Sequence, residues 1–286
     1  MAKKSDSSKS ADDKGQVFIF VPFTKIEDGP TPAGEAINYA TIRESAQKWA
    51  TAMSKEHGAD SRKVPVIVSF DSDRTSKEAH DKKKAELKQA KDGLSPLGKI
   101  SSFLGFNSEI NKLESETRTA KKAAEHHAKL HDQLKGAGSN DTVYVLGHTG
   151  VGGNAMATSS HTRVGTDEIA KRMLGSIGQD VGKIKVWGCN SGSDGIDRSN
   201  GTHHDSVAKR MNQPTPSHFS KAEYFGYTKT VGVDVKDNKK YAKIEGADGT
   251  DEQVKASGHR VKVGDSLKSG TPAKSSQQAQ QPGIRR

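Results

Sequence analysis

The sequence predicts an α/β fold with neighbouring parallel strands, and three observations carry that reading. Two β-branched runs, DTVYVLGHTGVGG (141–153) and KIKVWGCNSGSDG (183–195), each end in a glycine followed at once by a reactive residue: His148 in the first, Cys189 in the second. A helix-like run at 166–174 lies between them, which makes a strand–helix–strand unit whose strand ends lie side by side. A third apolar run, VPVIVSF at 64–70, likewise leads into polar groups, Asp71 and Asp73. Catalytic groups in open α/β sheets gather at the carboxyl ends of the strands. That rule brings His148 and Cys189 together although 41 positions (148 to 189) separate them.

Taken in order, residues 1–14 carry no apolar periodicity and predict a disordered tail. Residues 16–23 (QVFIFVPF) predict a buried strand closed by Pro22. Two prolines and two glycines make 27–34 a loop. Over 35–56, Ile37, Ala40, Ile42, Ala46, Trp49 and Met53 recur near the helical period, with His57 and Gly58 ending the helix. The second strand, 64–70, is followed by a Lys/Ala/Glu-rich insertion, 74–138, interrupted by a Gly/Pro/Phe stretch at 93–106. Its second half spaces Ile110, Leu113, Thr117, Ala120, Ala124, His127, Leu130 and Leu134 by threes and fours. One narrow apolar stripe of that kind predicts a two-helix arm docked on the domain or on a partner. His127 and His131 lie at i and i+4, a spacing zinc sites use, but no second cysteine or HExxH pattern completes a site. The reading there is a solvated helix face and no metal.

The third strand is 141–147 and a Gly/Ser/Thr loop covers 150–161. Thr166 is the expected N-cap of the next helix, with Asp167 and Glu168 in its first turn and Ile169, Ala170, Met173 and Leu174 on its apolar face. The fourth strand is 183–188, and a short helix at 206–211 stops before Pro214 and Pro216. Residues 223–235 read as a fifth strand, followed by the lysine-rich turn KDNKK and a returning hairpin from 241–245 and 258–263. From 264 to 286 the chain is Ser/Gln/Lys/Pro-rich and predicts disorder. The 31% hydrophobic content is concentrated in these few runs, which fits one domain, 15–263, with a polar insertion and frayed ends.

Composition narrows the function. A net charge of +10 suggests an anionic partner or a solvated basic surface. Aromatics at 5% and no recognition motif argue against nucleic acid. One cysteine excludes an intramolecular disulfide. No apolar run approaches the ~18 residues that span a bilayer, and the N-terminus lacks a classical secretory signal. GHTGVGGN resembles a phosphate loop, but Gly153 and Asn154 stand where lysine and Ser/Thr are needed, which excludes an NTPase of that type.

The chemistry that remains is a thiol paired with an imidazole. A free thiol with a pKa near ~8.5 is mostly protonated at neutral pH, and a neighbouring histidine takes its proton. Glycines around both residues, Gly147, Gly150, Gly188 and Gly192, leave room for a peptide backbone and for N–H groups to meet an oxyanion. The stretches VLGHTG and VWGCNSG, with GQVFIF, VPVIVSFDSD, TDEIAKRM and VGVDVKDNKKYAK, resemble the inositol-phosphate-activated cysteine protease domains of autoprocessing and glucosylating bacterial toxins, in the caspase-like clan. The likeness covers most of 15–73 and 140–245 and leaves the arm and both tails unmatched.

That resemblance implies a caspase-like, mostly parallel central sheet flanked by helices, with a C-terminal β-flap. It implies a His148/Cys189 endopeptidase preferring leucine before the cleaved bond and activated by inositol hexakisphosphate. Lys239, Lys240, Lys229 and Lys243 are the expected phosphate contacts. A free-standing form resembles an injected effector, secreted without a classical signal, that cleaves a host protein or itself in the host cytoplasm. Two points depart from the pattern: Thr149 follows His148 where the family usually has glycine, and the family's domains sit inside very long toxins whereas this sequence reads as free-standing. The acid that orients His148 in some relatives is open here between Asp71 and Asp73. The alternative function is a catalytically silent basic scaffold that binds a partner through its arm.

Overall fold

The computed structural model describes residues 15–29, 41–103, 107–196, 202–213, 219–236, 239–245 and 251–263. Its centre is a six-stranded sheet built from the most apolar runs of the chain. These are β1 (Val17–Val21), β2 (Val66–Ser69), β3 (Thr142–Leu146), and, beyond two short strands β4 (Ala155–Ala157) and β5 (Arg163–Gly165), β6 (Lys183–Trp187). A further pair of two-residue strands, β7 (Gly195–Ile196) and β8 (His203–His204), precedes β9 (Glu223–Tyr227). The remaining strands are β10 (Thr230–Lys236), β11 (Lys239–Glu245), β12 (Asp251–Lys255) and β13 (Arg260–Lys262). The main sheet runs β13-β9-β6-β3-β1-β2, parallel throughout except for β13. Counting its parallel strands in chain order gives 2-1-3-4-5, a doubly wound arrangement whose connections reverse between β1 and β3. The protein is therefore α/β with a mostly parallel sheet flanked by helices.

Helices follow where the apolar spacing is helical. α1 (Ile42–His57) buries Ile42, Ser45, Ala46, Trp49 and Ala50, one face at the i, i+3, i+4 spacing. It starts on a Thr41/Glu44 capping box and ends at Gly58, whose φ of 83° suits a residue without Cβ. Trp49 stands edge-on to Tyr144 with ring centroids 5.0 Å apart, and the aromatic layer continues through Trp187 to Tyr227. The insertion holds three helices, α2 (Ser72–Asp92), α3 (Pro96–Phe103) and α4 (Ser108–Lys135). α5 (Thr166–Ser176) and the short α6 (Val207–Met211) complete the flanking helices, with α4, α5 and α6 forming a contiguous row.

Several expectations need correction. The arm has a third helix, α3, inside the interrupted stretch at 93–106, and it begins at Ser72. α2 buries no residue and α4 only Ile110 and Leu134, because α2 and α4 pack on each other through ion pairs such as Lys83–Glu116 at 2.8 Å and Lys91–Glu114 at 2.6 Å. The expected fifth strand divides at Thr228 and Lys229 into β9 in the main sheet and β10 in a separate antiparallel sheet, β10-β11-β12. The expected returning hairpin does not form between 241–245 and 258–263: β11 pairs with β10 and β12, whereas β13 returns to the main sheet beside β9. Thr166 is the first helical residue, and the N-cap is Gly165. The predicted loop at 150–161 contains β4. The tails at 1–14 and 264–286, most of the loop at 27–34 and the turn residues 237–238 lie outside the described residues.

Candidate active site

The sheet brings the two reactive residues to neighbouring strand ends. Leu146 and Trp187 are the last register partners of β3 and β6. His148 and Cys189 each follow two residues later, at strands spaced about 4.8 Å. The turns that carry them are joined directly: the Thr149 hydroxyl donates to the Cys189 carbonyl at 2.5 Å. Thr149 therefore serves as the tie between the two turns. Its closeness also explains Gly188, where a Cβ would lie 2.5 Å from Thr149 Oγ1 and 2.7 Å from the Gly147 carbonyl.

The Cys189 turn is held on several sides. Asn190 has φ 53°, in the left-handed region that few side chains adopt, and its N–H donates to the Lys229 carbonyl at 3.1 Å. Ser191 is fully buried, and its hydroxyl donates to the Val186 carbonyl and accepts from the Tyr227 N–H. The half-buried Cys189 thiol donates to the Val231 carbonyl of β10 at 3.5 Å. Only the protonated thiol makes that bond, and burial pushes the thiol pKa up. The partner of the thiol in this structure is thus the edge of the small sheet rather than the imidazole.

His148 is fixed by its backbone, which forms a two-bond bridge with Ala157. Burial holds its imidazole below the ordinary histidine range, against the pull of the Asp28 carboxylate and with a small push from His161. Asp28 was not among the sequence candidates. It is almost fully buried, accepts from the N–H groups of Ile42 and Arg43 at the start of α1, and lies 3.6 Å from the Arg43 guanidinium. Its loop is clamped by Arg172, which donates to the Pro22 carbonyl and to both carboxylate oxygens of Glu27.

The two acids named from sequence serve elsewhere. Asp71 accepts from the Lys25 N–H and the Arg43 guanidinium. Asp73 lies 3.6 Å from His131, whose ring also reaches Ser69 and Ser72 and so fastens the arm to the end of β2. Among the described residues, no group of three or more His, Cys, Asp or Glu side chains is gathered as a metal would require.

A second feature lies on the α1 face of the sheet. Lys63, Lys255 and Arg260 line a cleft of about 300 Å³ with Trp49, Tyr144 and Tyr227. Lys185 stands next to it, donating to the Tyr144 hydroxyl at 3.2 Å. Burial, with Arg260 and Lys183 nearby, lowers the Lys185 pKa to about 8. These cations come from four separate elements, so no local pattern marks them. Of the lysines named from sequence, Lys229 is exposed in the turn before β10. The backbones of Lys239, Lys240 and Lys243 lie in β11, and their side chains lie outside the described residues.

Thr149 offers a direct check of the tie. Thr149→Val, which keeps the shape and removes the donor, should lower the melting temperature by about 2–4 °C, and Thr149→Ser should restore most of it. Equal melting temperatures for the valine and threonine forms would show that the hydroxyl does not hold the cysteine turn.

Among the described residues no helix is long and apolar enough to cross a membrane. Comparison of the chain with protein-family models, with curated proteins and with solved structures finds no match in any of the three.

Proposed function

We propose that the chain is a caspase-like cysteine endopeptidase that uses a Cys189/His148 dyad, is activated by an inositol polyphosphate and acts as a bacterial effector on a host protein, on itself or on both. The observation that carries this reading is the juxtaposition of the His148 and Cys189 turns, tied by Thr149, at neighbouring carboxyl strand ends. In the reaction, Cys189 Sγ bonds to the substrate carbonyl carbon as its proton passes to His148. The tetrahedral oxyanion takes hydrogen bonds from the Thr149 and Cys189 N–H groups. As the C–N bond breaks, His148 returns the proton to the departing amine. Water activated by His148 then hydrolyses the thioester and frees the thiol.

The thiol's bond to Val231 suits a resting state, since attack requires that proton to move to His148 instead. The small sheet touches both features: Val231 of β10 accepts from the thiol, and Lys255 of β12 lines the basic cleft. A polyanion drawing Lys63, Lys185, Lys255 and Arg260 together, with Lys229, Lys239, Lys240 and Lys243 as further contacts, would shift the small sheet and release Cys189. A second reading, a partner-binding scaffold, has one observation in its favour: Leu97 and Ile100 of α3 are 79% and 57% exposed at the arm.

The test is to treat host-cell lysate with the full chain and inositol hexakisphosphate and to identify new protein N-termini. The expected result is a set of cleavages, predominantly after leucine, absent with Cys189→Ala and needing more inositol hexakisphosphate above about pH 8, where Lys185 without a bound anion loses its charge. Identical N-termini with and without Cys189 would overturn the enzyme and favour the scaffold.

A further inference from the structure

The cleft beside His148 is assembled in register. His148 bridges Ala157, and Ala157 pairs in turn with Arg163. Directly opposed residues of antiparallel strands present their side chains on one face, about 4.5–5.5 Å apart. His148 and Arg163 therefore stand on either side of Ala157, about 10 Å from each other. Burial follows the same alternation, since Met156 and Val164 turn into the core while Ala155, Ala157 and Arg163 face outward.

The result is a cleft of about 340 Å³ with a floor of small residues, His148 on one wall and Arg163 on the other. Among the described residues, no carboxylate lines it. Of the described acids on the elements around it, Glu27 and Glu168 are held by Arg172 and Asp28 by the amides of Ile42 and Arg43, while Asp167 stands exposed in the first turn of α5. A guanidinium left in such a cleft is a ready fork for a carboxylate. An extended peptide advances about 3.3 Å per residue, so the span from His148 to Arg163 is about three residues.

We propose that Arg163 is a specificity-determining residue that takes an aspartate or glutamate side chain of the substrate, about three residues from the cleaved bond. The subsite deepens the protease reading and rests on it for its meaning, but its chemistry is testable apart from catalysis. The probes are two fluorescein-labelled peptides, Ala-Glu-Ala-Leu-Ala-Ala-Glu-Ala and its counterpart with glutamine in place of both glutamates. Each is titrated onto the full chain carrying Cys189→Ala, with inositol hexakisphosphate present.

The glutamate peptide should bind about fivefold more tightly, as an exposed ion pair allows. Arg163→Gln should erase the difference, and Arg163→Glu should reverse it. The Arg163 side chain is exposed, so both variants should keep the parent melting temperature. Equal binding of the two peptides with Arg163 in place overturns the subsite, as does an unchanged preference in Arg163→Glu. In parallel, the chain with Cys189 intact is given a peptide library. If it cuts nothing while the glutamate preference persists, the carboxylate site stands and the enzyme reading falls.

Discussion

Replacing Cys189 by alanine should reduce peptide cleavage at least about 10³-fold, and His148→Ala should cost a similar factor, with the double variant no worse than either. The non-additivity follows from roles that depend on each other: an imidazole with no thiol to deprotonate contributes little, and a thiol without its base remains protonated. Neither side chain should be a large stabilising element. Cys189 makes one weak hydrogen bond, to Val231, and His148 is held through its backbone, so the melting temperatures should stay close to the parent. The pH dependence has a defined sign. Burial raises the thiol pKa and lowers the imidazole pKa, so the resting pair is neutral at pH 7. Without a polyanion, alkylation of Cys189 by iodoacetamide should be slow at pH 7 and keep rising above the ordinary thiol range near ~8.5. Fast alkylation with a plateau near pH 7 would show a resting thiolate, contrary to this account.

Gly226→Ala should be strongly destabilising. In β9 the Gly226 backbone lies against the cysteine turn, and a Cβ there would meet Gly192 Cα and N at 2.5 Å and the Ser191 carbonyl carbon at 2.8 Å. Those atoms are backbone, and Gly192 is further fixed by donation to the Tyr227 carbonyl at 2.9 Å. No flexible side chain can yield, so the strand and the turn must separate. Overpacking of this kind costs about 1–3 kcal/mol, or more where backbone must move. For a domain of this size a loss of about 3 kcal/mol lowers the melting temperature by roughly 6–12 °C. Activity should fall further than stability, because the displaced turn carries Cys189. Gly175→Ala is the control: it is exposed in α5 with nothing within 4 Å of its added Cβ, and should be neutral or stabilising by about 0.5–1 kcal/mol. Calorimetry of the two variants compares them, and equal melting temperatures would contradict the packing described for the cysteine turn.

The elements that carry His148 and Cys189 were legible because their signals are local. β1, β3 and β6 are runs of large apolar residues ended by proline or glycine, and the strand–helix–strand order fixes which ends meet. Local pattern misled at EYFGYTKTVGV, where the chain changes sheets at Thr228 and Lys229. No glycine, proline or asparagine marks that turn; Thr228 is held instead by a hydrogen bond to the distant His259 carbonyl. β13 has only three residues, too few for a period, and its place is set by pairing with β9.

The same division separates the parts of the site. His148, Cys189 and their glycines stand beside strong strands, whereas Asp28 follows β1 by seven residues (21 to 28) in a loop whose path depends on Arg172 and Arg43. Asp71 and Asp73 were reasonable choices, since they follow β2, but β2 is the edge strand and β1 stands between it and β3. Arg163 was hidden because β4 and β5 are three residues each. Lys63, Lys185, Lys255 and Arg260 meet only through the fold. The lysine-rich turn drew attention for its sequence density, while the cleft on the α1 face assembles its charge from distant segments.

Under the proposed mechanism, Cys189 and His148 act as one unit under the control of the small sheet. Intact-mass measurement of adduct formation with a leucine-terminated peptidyl vinyl sulfone tests it most directly, using the full chain with and without inositol hexakisphosphate, beside His148→Ala. One adduct at Cys189 is expected, formed at least about tenfold faster with the polyanion and suppressed in His148→Ala in both conditions. Labelling of Cys189 at one rate in all four samples would contradict it.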